Sequence, residues 1–264
     1  MKKLIKKSYY GTIGYIGSIE DLEKLESYIA YNEVILKTFK GIIVATNYID
    51  NSPHLRHTNS ALWKKYFPNV IILDSPKNRG HNTGTADLDN MLVDYCKQNQ
   101  IDWLCKSAND IILQDYLLEK QVGKADFYYL NGIGYGGLVT YNFDFDRIIN
   151  ENFFPQTNFY FINVSKIDYL NDNTYLDETY EVVSKIPNYN GRIWEYFDDF
   201  ACEAFLSKCI VRNNLKKEHI IPQNKYRDLL SAVKNNNIHD PSHKNILVEG
   251  VCHYHFINHP VIII

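Results

Sequence analysis

Carboxylate, amide and cationic side chains gather at two places in the first half of the chain, each soon after an apolar run. Residues 70–73 lead into the polar segment 78–89, and residues 101–105 lead into the polar segment 106–110. Groups of these types hydrogen-bond hydroxyls, neutralise anions or hold a divalent cation through oxygen. The two polar segments are therefore the first candidates for a ligand site.

The elements around these segments predict where the polar residues lie. Both apolar runs are typical of short buried strands. Between them, apolar residues recur at helical spacing, at Ala86, Met91, Leu92 and Tyr95. A strand–helix–strand unit of this length predicts a parallel sheet with a right-handed crossover. Ligands in open α/β sheets bind outside the carboxyl ends of the strands, which is where both polar segments are expected.

Two short motifs lie at these strand ends. They are Asn78-Arg79-Gly80 and Lys106-Ser107-Ala108-Asn109-Asp110. Their order resembles the GT-A family of nucleotide-sugar-dependent glycosyltransferases, in which an N-x-G loop follows the third strand and a later strand runs into a K-x-D-D-D or D-x-D tip. The resemblance covers about residues 8–140. It implies an α/β fold with a Rossmann-type mixed, mostly parallel sheet flanked by helices.

The second motif departs from the family, because one carboxylate, Asp110, remains of the acidic triplet. The resemblance implies that this tip binds a divalent metal, Mn²⁺ or Mg²⁺, at Asp110, and the diphosphate beside Lys106 and Asn109. One aspartate suffices for Mg²⁺ when waters and phosphate oxygens complete the shell. A simple turn is the alternative for Asn109 and Asp110, since both residue types are common in turns.

The first polar segment offers further contacts to a nucleotide sugar. Lys77 and Arg79 are expected at the phosphates, and Asn78 and Asp87 at base, ribose or sugar hydroxyls. Asp87 and Asp89 are also expected in the first turn of the following helix, where an acid suits the macrodipole. For Asp89 that structural interpretation is preferred.

A third group of acids lies in residues 197–203, within a strong helical pattern at residues 192–209. Asp199 and Glu203 are four residues apart and share a helix face. The resemblance implies that a carboxylate here deprotonates the acceptor hydroxyl, with Asp199 first, then Asp198 and Glu203. The alternative is that these acids only favour a helix start.

The C-terminal segment contains His253, His255 and His259. His253 and His255 would face the same side of a strand. The resemblance implies that a C-terminal histidine returns to the metal, so His255 is paired with Asp110. A zinc hydrolase is the rival interpretation of the H-x-H pattern, but no H-E-x-x-H or C-x-x-C motif accompanies it.

The remaining pattern predicts a single domain with a donor half at about residues 1–140 and an acceptor half at about 141–264. A polar loop is expected at residues 47–60. Residues 155–163 are expected to form a sugar-binding wall, with Phe159 and Tyr160 as its rings. Further strands are predicted at residues 8–17, 41–46, 126–130, 159–163, 246–251 and 254–257, and helices at 21–36, 61–67, 114–122, 143–151, 164–170 and 179–184.

Composition limits the classes of function. The chain has 264 residues, of which 45% are hydrophobic, and a net charge of −3, which argues against a general nucleic-acid binder. No apolar run approaches the ~20 residues of a membrane span, and no signal peptide is evident. Five scattered cysteines without a C-x-x-C pair predict reduced structural thiols and a cytoplasmic location.

These observations predict an enzyme that transfers a sugar from a nucleotide-sugar donor to a hydroxyl of a glycan or another acceptor, with inversion favoured by the acids at residues 197–203. A sugar-phosphate nucleotidyltransferase is the first alternative, although the N-terminal glycines lack the basic residue that such enzymes place after them. A non-catalytic carbohydrate-binding module is the second, because the acidic triplet is incomplete.

Overall fold

The computed structural model describes residues 3–109, 111–113, 122–131, 155–185, 202–220, 246–248 and 251–253. Its strands are β1 (Tyr9–Ile16), β2 (Ile42–Tyr48), β3 (Ile71–Asp74), β4 (Trp103–Ala108), β5 (Ile111–Leu113), β6 (Phe127–Asn131), β7 (Pro155–Asn163), β8 (Lys217–His219), β9 (Ile246–Val248) and β10 (Val251–His253). Its α-helices are α1 (Ile19–Leu36), α2 (Pro53–Tyr66), α3 (His81–Gln98), α4 (Asn173–Val183) and α5 (Cys202–Arg212).

Seven of these strands form one sheet in the order β3-β2-β1-β4-β7-β6-β8. Strand β7 runs antiparallel to both of its neighbours, and the other pairs are parallel. The predicted α/β class with a mostly parallel sheet is therefore confirmed. The chain enters the sheet at β1, proceeds outward to β3 and then crosses back to β4, so the strand order reverses between β1 and β4.

Helices cover both faces of the sheet. On one face, Tyr28 of α1 and Trp63 of α2 pack into a core with Tyr10 and Phe161. On the other face, α3 and α5 pack over the sheet through a second group of buried side chains, which includes Leu88, Leu92, Leu206 and Ile210. Strand β2 is buried at every position, as expected for a strand in the middle of a covered parallel sheet.

Helix α1 begins at Ile19, two residues before the predicted start, with Ser18 as its N-cap. The Ser18 hydroxyl accepts a hydrogen bond from the Asp21 amide at 3.2 Å, and the Asp21 carboxylate accepts one from the Ser18 amide at 3.0 Å. This reciprocal capping box satisfies two amides that a helix start would otherwise leave unpaired.

The predicted loop at residues 47–60 is wrong. Strand β2 continues to Tyr48, a 3₁₀ turn follows, and α2 already begins at Pro53. Ser52 caps this helix by accepting from the Leu55 amide, and proline suits the first helical position because it needs no amide partner there. Helix α2 shows little apolar periodicity in the sequence, because it is mostly polar and buries only Leu55, Asn59 and Trp63.

One boundary at each of the two motifs also differs from the prediction. Helix α3 begins at His81, so Asp87 and Asp89 lie beyond its first turn, and the macrodipole does not explain them. Strand β4 continues through Lys106 and Ser107 to Ala108, so Lys106 is a strand residue and not part of an exposed tip.

Later in the chain, the predicted sugar-binding wall is wrong, because β7 lies inside the sheet and Phe159 and Tyr160 are buried in the two cores. The predicted helix at 164–170 is a single 3₁₀ turn, Val164–Lys166. Helix α4 begins earlier than predicted. The predicted helix at 114–122 except its last residue, the helix at 143–151, residues 192–201 of the helix at 192–209 and the strand at 254–257 lie outside the described residues.

Three of the five cysteines, Cys96, Cys105 and Cys209, are described and are buried free thiols. Burial raises the pKa of Cys96 to about 12 and that of Cys209 to about 11, so both thiols stay protonated near neutral pH. This supports a structural role for them. Within the described part of the chain, none of the helices has the length and apolar character needed to cross a bilayer.

Candidate functional site

The carboxyl ends of β1 and β4 form the point where the strand order reverses. The two strands pair in parallel from Tyr9 with Leu104 to Ile13 with Ala108. Just beyond, Asn109 lies against β1, because a Cβ added to Gly14 would be only 3.0 Å from Asn109 Nδ2. The absence of a side chain at position 14 thus lets the Asn109 amide lie at the crevice. We refer to Gly14, Tyr15, Gly17 and Asn109 as the β1–β4 crevice.

Tyr15 supplies an aromatic surface at this crevice. Its side chain is 48% exposed. A Cβ at Gly17 would be 2.9 Å from Tyr15 Cε1, so the ring packs against the Gly17 backbone. Partial burial, followed by the carboxylates of Asp21 and Asp50, raises the pKa of Tyr15. The sequence analysis missed Tyr15, although its place between two glycines at the end of a strand was a usable signal.

The turn after β2 contributes a second polar group to this edge of the sheet. Asp50 and Asn51 both have left-handed backbone conformations, with φ values of 49° and 50°. Asp and Asn adopt this conformation more readily than other residues with a side chain. Before the turn, Asn47 donates from Nδ2 to the Lys77 carbonyl at 3.4 Å, while its buried Oδ1 has no hydrogen-bond partner among the residues that the structure describes. These residues were missed because the sequence assigned them to a loop.

The ends of β2 and β3 are held together by a hydrogen-bond network. The Tyr48 hydroxyl donates to Asp74 Oδ1 at 2.9 Å and accepts from Asn59 Nδ2 at 2.9 Å. Arg56 Nε lies 3.5 Å from Asp74 Oδ2. Burial first, and then Asp74, raises the pKa of Tyr48 to about 12. The network holds the ends of β2 and β3 together. With its raised pKa, Tyr48 stays uncharged near neutral pH.

Arg79 and Asp87, two of the predicted ligand residues, lie together at the start of α3. Arg79 Nε donates to Asp87 Oδ2 at 2.7 Å, and Arg79 Nη2 donates to Asp87 Oδ1. Arg79 Nη1 donates to Asp177 Oδ1 of α4 at 2.5 Å. The Arg79 and Asp87 side chains are only 7% and 9% exposed. This bidentate, buried pair fixes the guanidinium plane.

Lys77 and Asn78 surround the same helix start. Lys77 Nζ lies 3.4 Å from Asp177 Oδ1, and Asn78 is exposed. Gly80 precedes α3 with a φ of 81°, which favours glycine, and no side chain caps the helix there. The amides of the first turn, which no described side chain caps, add partial positive charge at this helix start, while Asp87 and Asp177 balance the charges of Lys77 and Arg79.

Lys106 does not reach this edge. It is buried in β4, where its ammonium group donates to the Thr157 carbonyl and lies 3.5 Å from Asp89 Oδ1. Its side chain is 2% exposed. Lys106 and Asp89 thus connect β4, β7 and α3 inside the protein, and the diphosphate contact expected for Lys106 stays a prediction that this geometry does not support.

The other predicted site residues are only partly described. Asp110, Asp198, Asp199 and His255 lie outside the described residues, and for Glu203 only the backbone is described, as part of α5. Among the side chains that are described, no group of three or more His, Cys, Asp or Glu could hold a metal ion. The metal site and the base therefore stay predictions.

The small sheet brings the C-terminal segment to the residues after β4. Strand β10 pairs antiparallel with β5, and His253 lies opposite Ile111. In the chain, Asp110 immediately precedes Ile111, and His255 follows His253 by two residues. The sequence predicted strands at residues 246–251 and 254–257, so β10 lies between the two predicted strands, and its pairing with β5 was not predicted.

The fold and the crevice define an α/β protein with helices on both faces of the sheet and a polar edge at the point where the strand order reverses. No family model matches the chain, and the comparison with curated proteins finds no match. Among solved structures, the chain is similar to one described as galactosyltransferase LgtC in complex with donor and acceptor sugar analogs. The two are 10% identical, the match covers 93% of this chain and 86% of that one, and the TM-score is 0.45. A likeness of this extent carries no functional argument, so the residues described above must support the function.

Proposed function

We propose that this chain is a glycosyltransferase that moves a sugar from a nucleotide-sugar donor to a hydroxyl of a glycan or another acceptor. The observation that carries the proposal is the reversal of strand order at the ends of β1 and β4, where the Asn109 amide lies against Gly14 and the exposed Tyr15 follows at the end of β1. Such crevices bind nucleotides in open α/β sheets. An amide and an aromatic face match the hydrogen-bonding edge and the ring of a base.

The phosphates of the donor require positive charge, because departure of a nucleoside diphosphate develops negative charge. Lys77 and Arg79, at the start of α3, are the described cations that suit this role. A divalent metal bound through Asp110 and His255 would neutralise the same charge. The register of β10 on β5 supports that pairing, since it brings the neighbours of these two residues together.

The acceptor hydroxyl requires a base, which we propose to be Asp199, with Asp198 and Glu203 as the alternatives. A direct attack assisted by this base would invert the configuration of the sugar. The packing of α5 through Leu206 and Ile210 supports a rigid position for this helix, which includes Glu203. A general base must lie within hydrogen-bond distance of the acceptor hydroxyl, about 3 Å. The helix that carries the base must therefore be held in a fixed position.

Calorimetry with UDP, GDP, CDP and dTDP, with and without Mn²⁺, tests the donor site. We expect at least one of them to bind, and Asn109→Ala to weaken that binding about five- to tenfold through a lost hydrogen bond. Asn99→Ala is the matched control, because Asn99 is exposed after the end of α3. Absence of binding for all four nucleotides would refute the proposal.

Transfer assays with a panel of sugar nucleotides and hydroxyl acceptors test the chemistry. Asp199→Asn should lower turnover by about 10²- to 10⁴-fold and leave nucleotide affinity unchanged. If Asp198→Asn or Glu203→Gln gives that result instead, the helix is right and the residue is wrong. Normal transfer in all three variants would favour a base elsewhere or a retaining mechanism.

Chelation tests the metal separately. We expect EDTA, Asp110→Ala and His255→Ala each to weaken nucleotide binding. If EDTA has no effect, Lys77 and Arg79 are the better candidates for the diphosphate charge. Pyrophosphate release from a nucleoside triphosphate and a sugar phosphate, without glycosyl transfer, would identify a nucleotidyltransferase instead.

A further inference from the structure

Helix α4 lies across the start of α3 and contacts it mainly through one carboxylate. Asp177 Oδ1 accepts from Arg79 Nη1 at 2.5 Å and lies 3.4 Å from Lys77 Nζ. Tyr180, one turn further along α4, has its ring 5.6 Å from the Arg79 guanidinium carbon. The two cations that suit a phosphate are thus already occupied by a side chain of the protein.

The two carboxylates on Arg79 differ in how firmly they are held. Asp87 makes a bidentate contact and its side chain is 9% exposed, whereas the Asp177 side chain is 57% exposed and uses one oxygen. Exposed ion pairs contribute little to stability, while separating a buried one is costly. Asp87 is therefore the permanent counter-ion of Arg79, and Asp177 is the exchangeable one.

The charges of this cluster balance, with two cations against two carboxylates. A phosphate group that bound here while Asp177 stayed would lie beside a second anion. If Asp177 leaves, Arg79 Nη1 and Lys77 Nζ become available together with the uncapped amides at the start of α3. Phosphate oxygens can accept hydrogen bonds from all of these donors.

The other contacts of α4 anchor its N-terminal end. Asn90 of α3 accepts from the Asn171 amide at 2.9 Å and donates to Asn173 Oδ1 at 2.8 Å. Leu176, in the first turn of α4, is 1% exposed. Among the side chains of α4 that the structure describes, those before Asp177 anchor the start of the helix, and Asp177 and Tyr180 hold it against Arg79.

We propose that Asp177 is a latch, which holds α4 over Lys77 and Arg79 in the ligand-free protein and is displaced when a phosphate group binds to these two cations. The inference rests on the proposed function only for the source of the phosphate, a nucleoside diphosphate. Displacement would loosen α4 beyond its anchored first turn. Asp177 thus couples occupation of the phosphate site to the position of α4.

The test compares Asp177→Asn with Glu181→Gln. Both variants remove one negative charge from α4, one turn apart, but Glu181 contacts only the exposed Lys185 among the pairs described. Calorimetry with pyrophosphate and with the nucleoside diphosphates should show about three- to tenfold tighter binding for Asp177→Asn, and binding like that of wild type for Glu181→Gln. This range corresponds to the loss of one or two exposed ion pairs.

Hydrogen exchange of the α4 amides gives a second readout. Adding the ligand should speed exchange in α4 of the wild type, whereas Asp177→Asn should exchange fast already without ligand. The latch would be overturned if wild type and Asp177→Asn bound the phosphate ligand equally well, or if both variants gained affinity equally. It would also be overturned if no phosphate ligand bound, or if the ligand left hydrogen exchange in α4 unchanged. Binding of pyrophosphate that tightens in Asp177→Asn without any nucleotide binding would keep the latch and refute the nucleotide-dependent function.

Discussion

Helix α3 carries two aspartates that lie two residues apart and have opposite surroundings. Asp89 faces the interior and pairs with Lys106, whose side chain is 2% exposed. Asp87 faces the edge of the sheet and pairs with Arg79, which also reaches the exposed Asp177. The interior pair is buried and connects β4 with α3 inside the protein. The edge pair lies where the strands end, at the place where the proposed function requires a cation.

The difference shows that depth relative to the strand ends decides the role of a charge in this fold. Lys106 lies within β4 and Arg79 lies after β3, so residues with the same charge serve different purposes. Residues two apart on a helix point about 200° away from each other, which separates Asp87 from Asp89. Four variants test this division between the interior and the edge.

The largest effect is expected at the interior pair. Lys106→Met should lower the free energy of unfolding by about 3–5 kcal/mol, because Asp89 stays buried without its cation. Urea denaturation measures this loss, and adding Asp89→Leu should restore most of it. Lys65→Met is the control, since its pair with Glu26 is exposed and its loss should hardly change the free energy of unfolding.

A smaller loss is expected at the edge pair. Asp87→Asn keeps the shape of the side chain but turns an amide toward Arg79, which should cost about 1–3 kcal/mol in the same urea experiment. Arg79 retains Asp177, so the loss should stay below that of Lys106→Met. A larger loss in Asp87→Asn would reverse the proposed division between the two pairs.

The network under the edge gives a pH-dependent test. Tyr48→Phe should cost about 1–2 kcal/mol, because Asn59 and Asp74 lose their shared partner. The pKa of Tyr48 is raised from 10.0 to about 12 in the folded protein, so between these values the folded state holds a proton that the unfolded state has lost. The free energy of unfolding should therefore fall more steeply with rising pH in the wild type than in Tyr48→Phe.

The smallest effect is expected at Asp177. The hydrogen bond from Arg79, and then the charges of Arg79 and Lys77, lower the pKa of Asp177 below its ordinary value of 3.8. A lowered pKa means that its contribution is complete above that value and is lost as the pH falls through the folded pKa. Wild type and Asp177→Asn should differ by less than about 1 kcal/mol at pH 6 and converge as the pH falls below 3.8. A constant difference would mean that the charge of Asp177 is not involved.

Much of the framework was readable in the sequence, because strands β1 to β4 are apolar runs that end in polar or glycine residues. The resulting edge, with Asn78, Arg79 and Asn109, follows from the parallel topology alone. Helix α2 was not readable, since it buries few side chains and Ser52 and Pro53 also occur in turns. Periodicity works only where one face of a helix is largely apolar.

The partners of the charged residues could not be predicted. Asp87 and Asp89 belong to the same short polar segment of the sequence. Nothing in that segment shows which cation each carboxylate will contact. Lys106 matches a ligand-binding motif in the sequence. Its burial depends on where β4 ends and on its pairing with β7, which lies about fifty residues later in the chain. Such contacts arise from the three-dimensional arrangement of distant segments, so they appear only once the sheet order is known.

The order of the seven-stranded sheet also bears on how the protein avoids joining sheets of other molecules. Within the described part of the chain, its two outermost strands, β3 and β8, are also its shortest, with 4 and 3 residues. A short edge strand offers few backbone amides and carbonyls for pairing with a strand of another molecule. At β8, the side chains of Lys217 and Glu218 are also exposed and charged. The long apolar strands that favour amyloid-like association lie in the middle, where both of their sides are already paired.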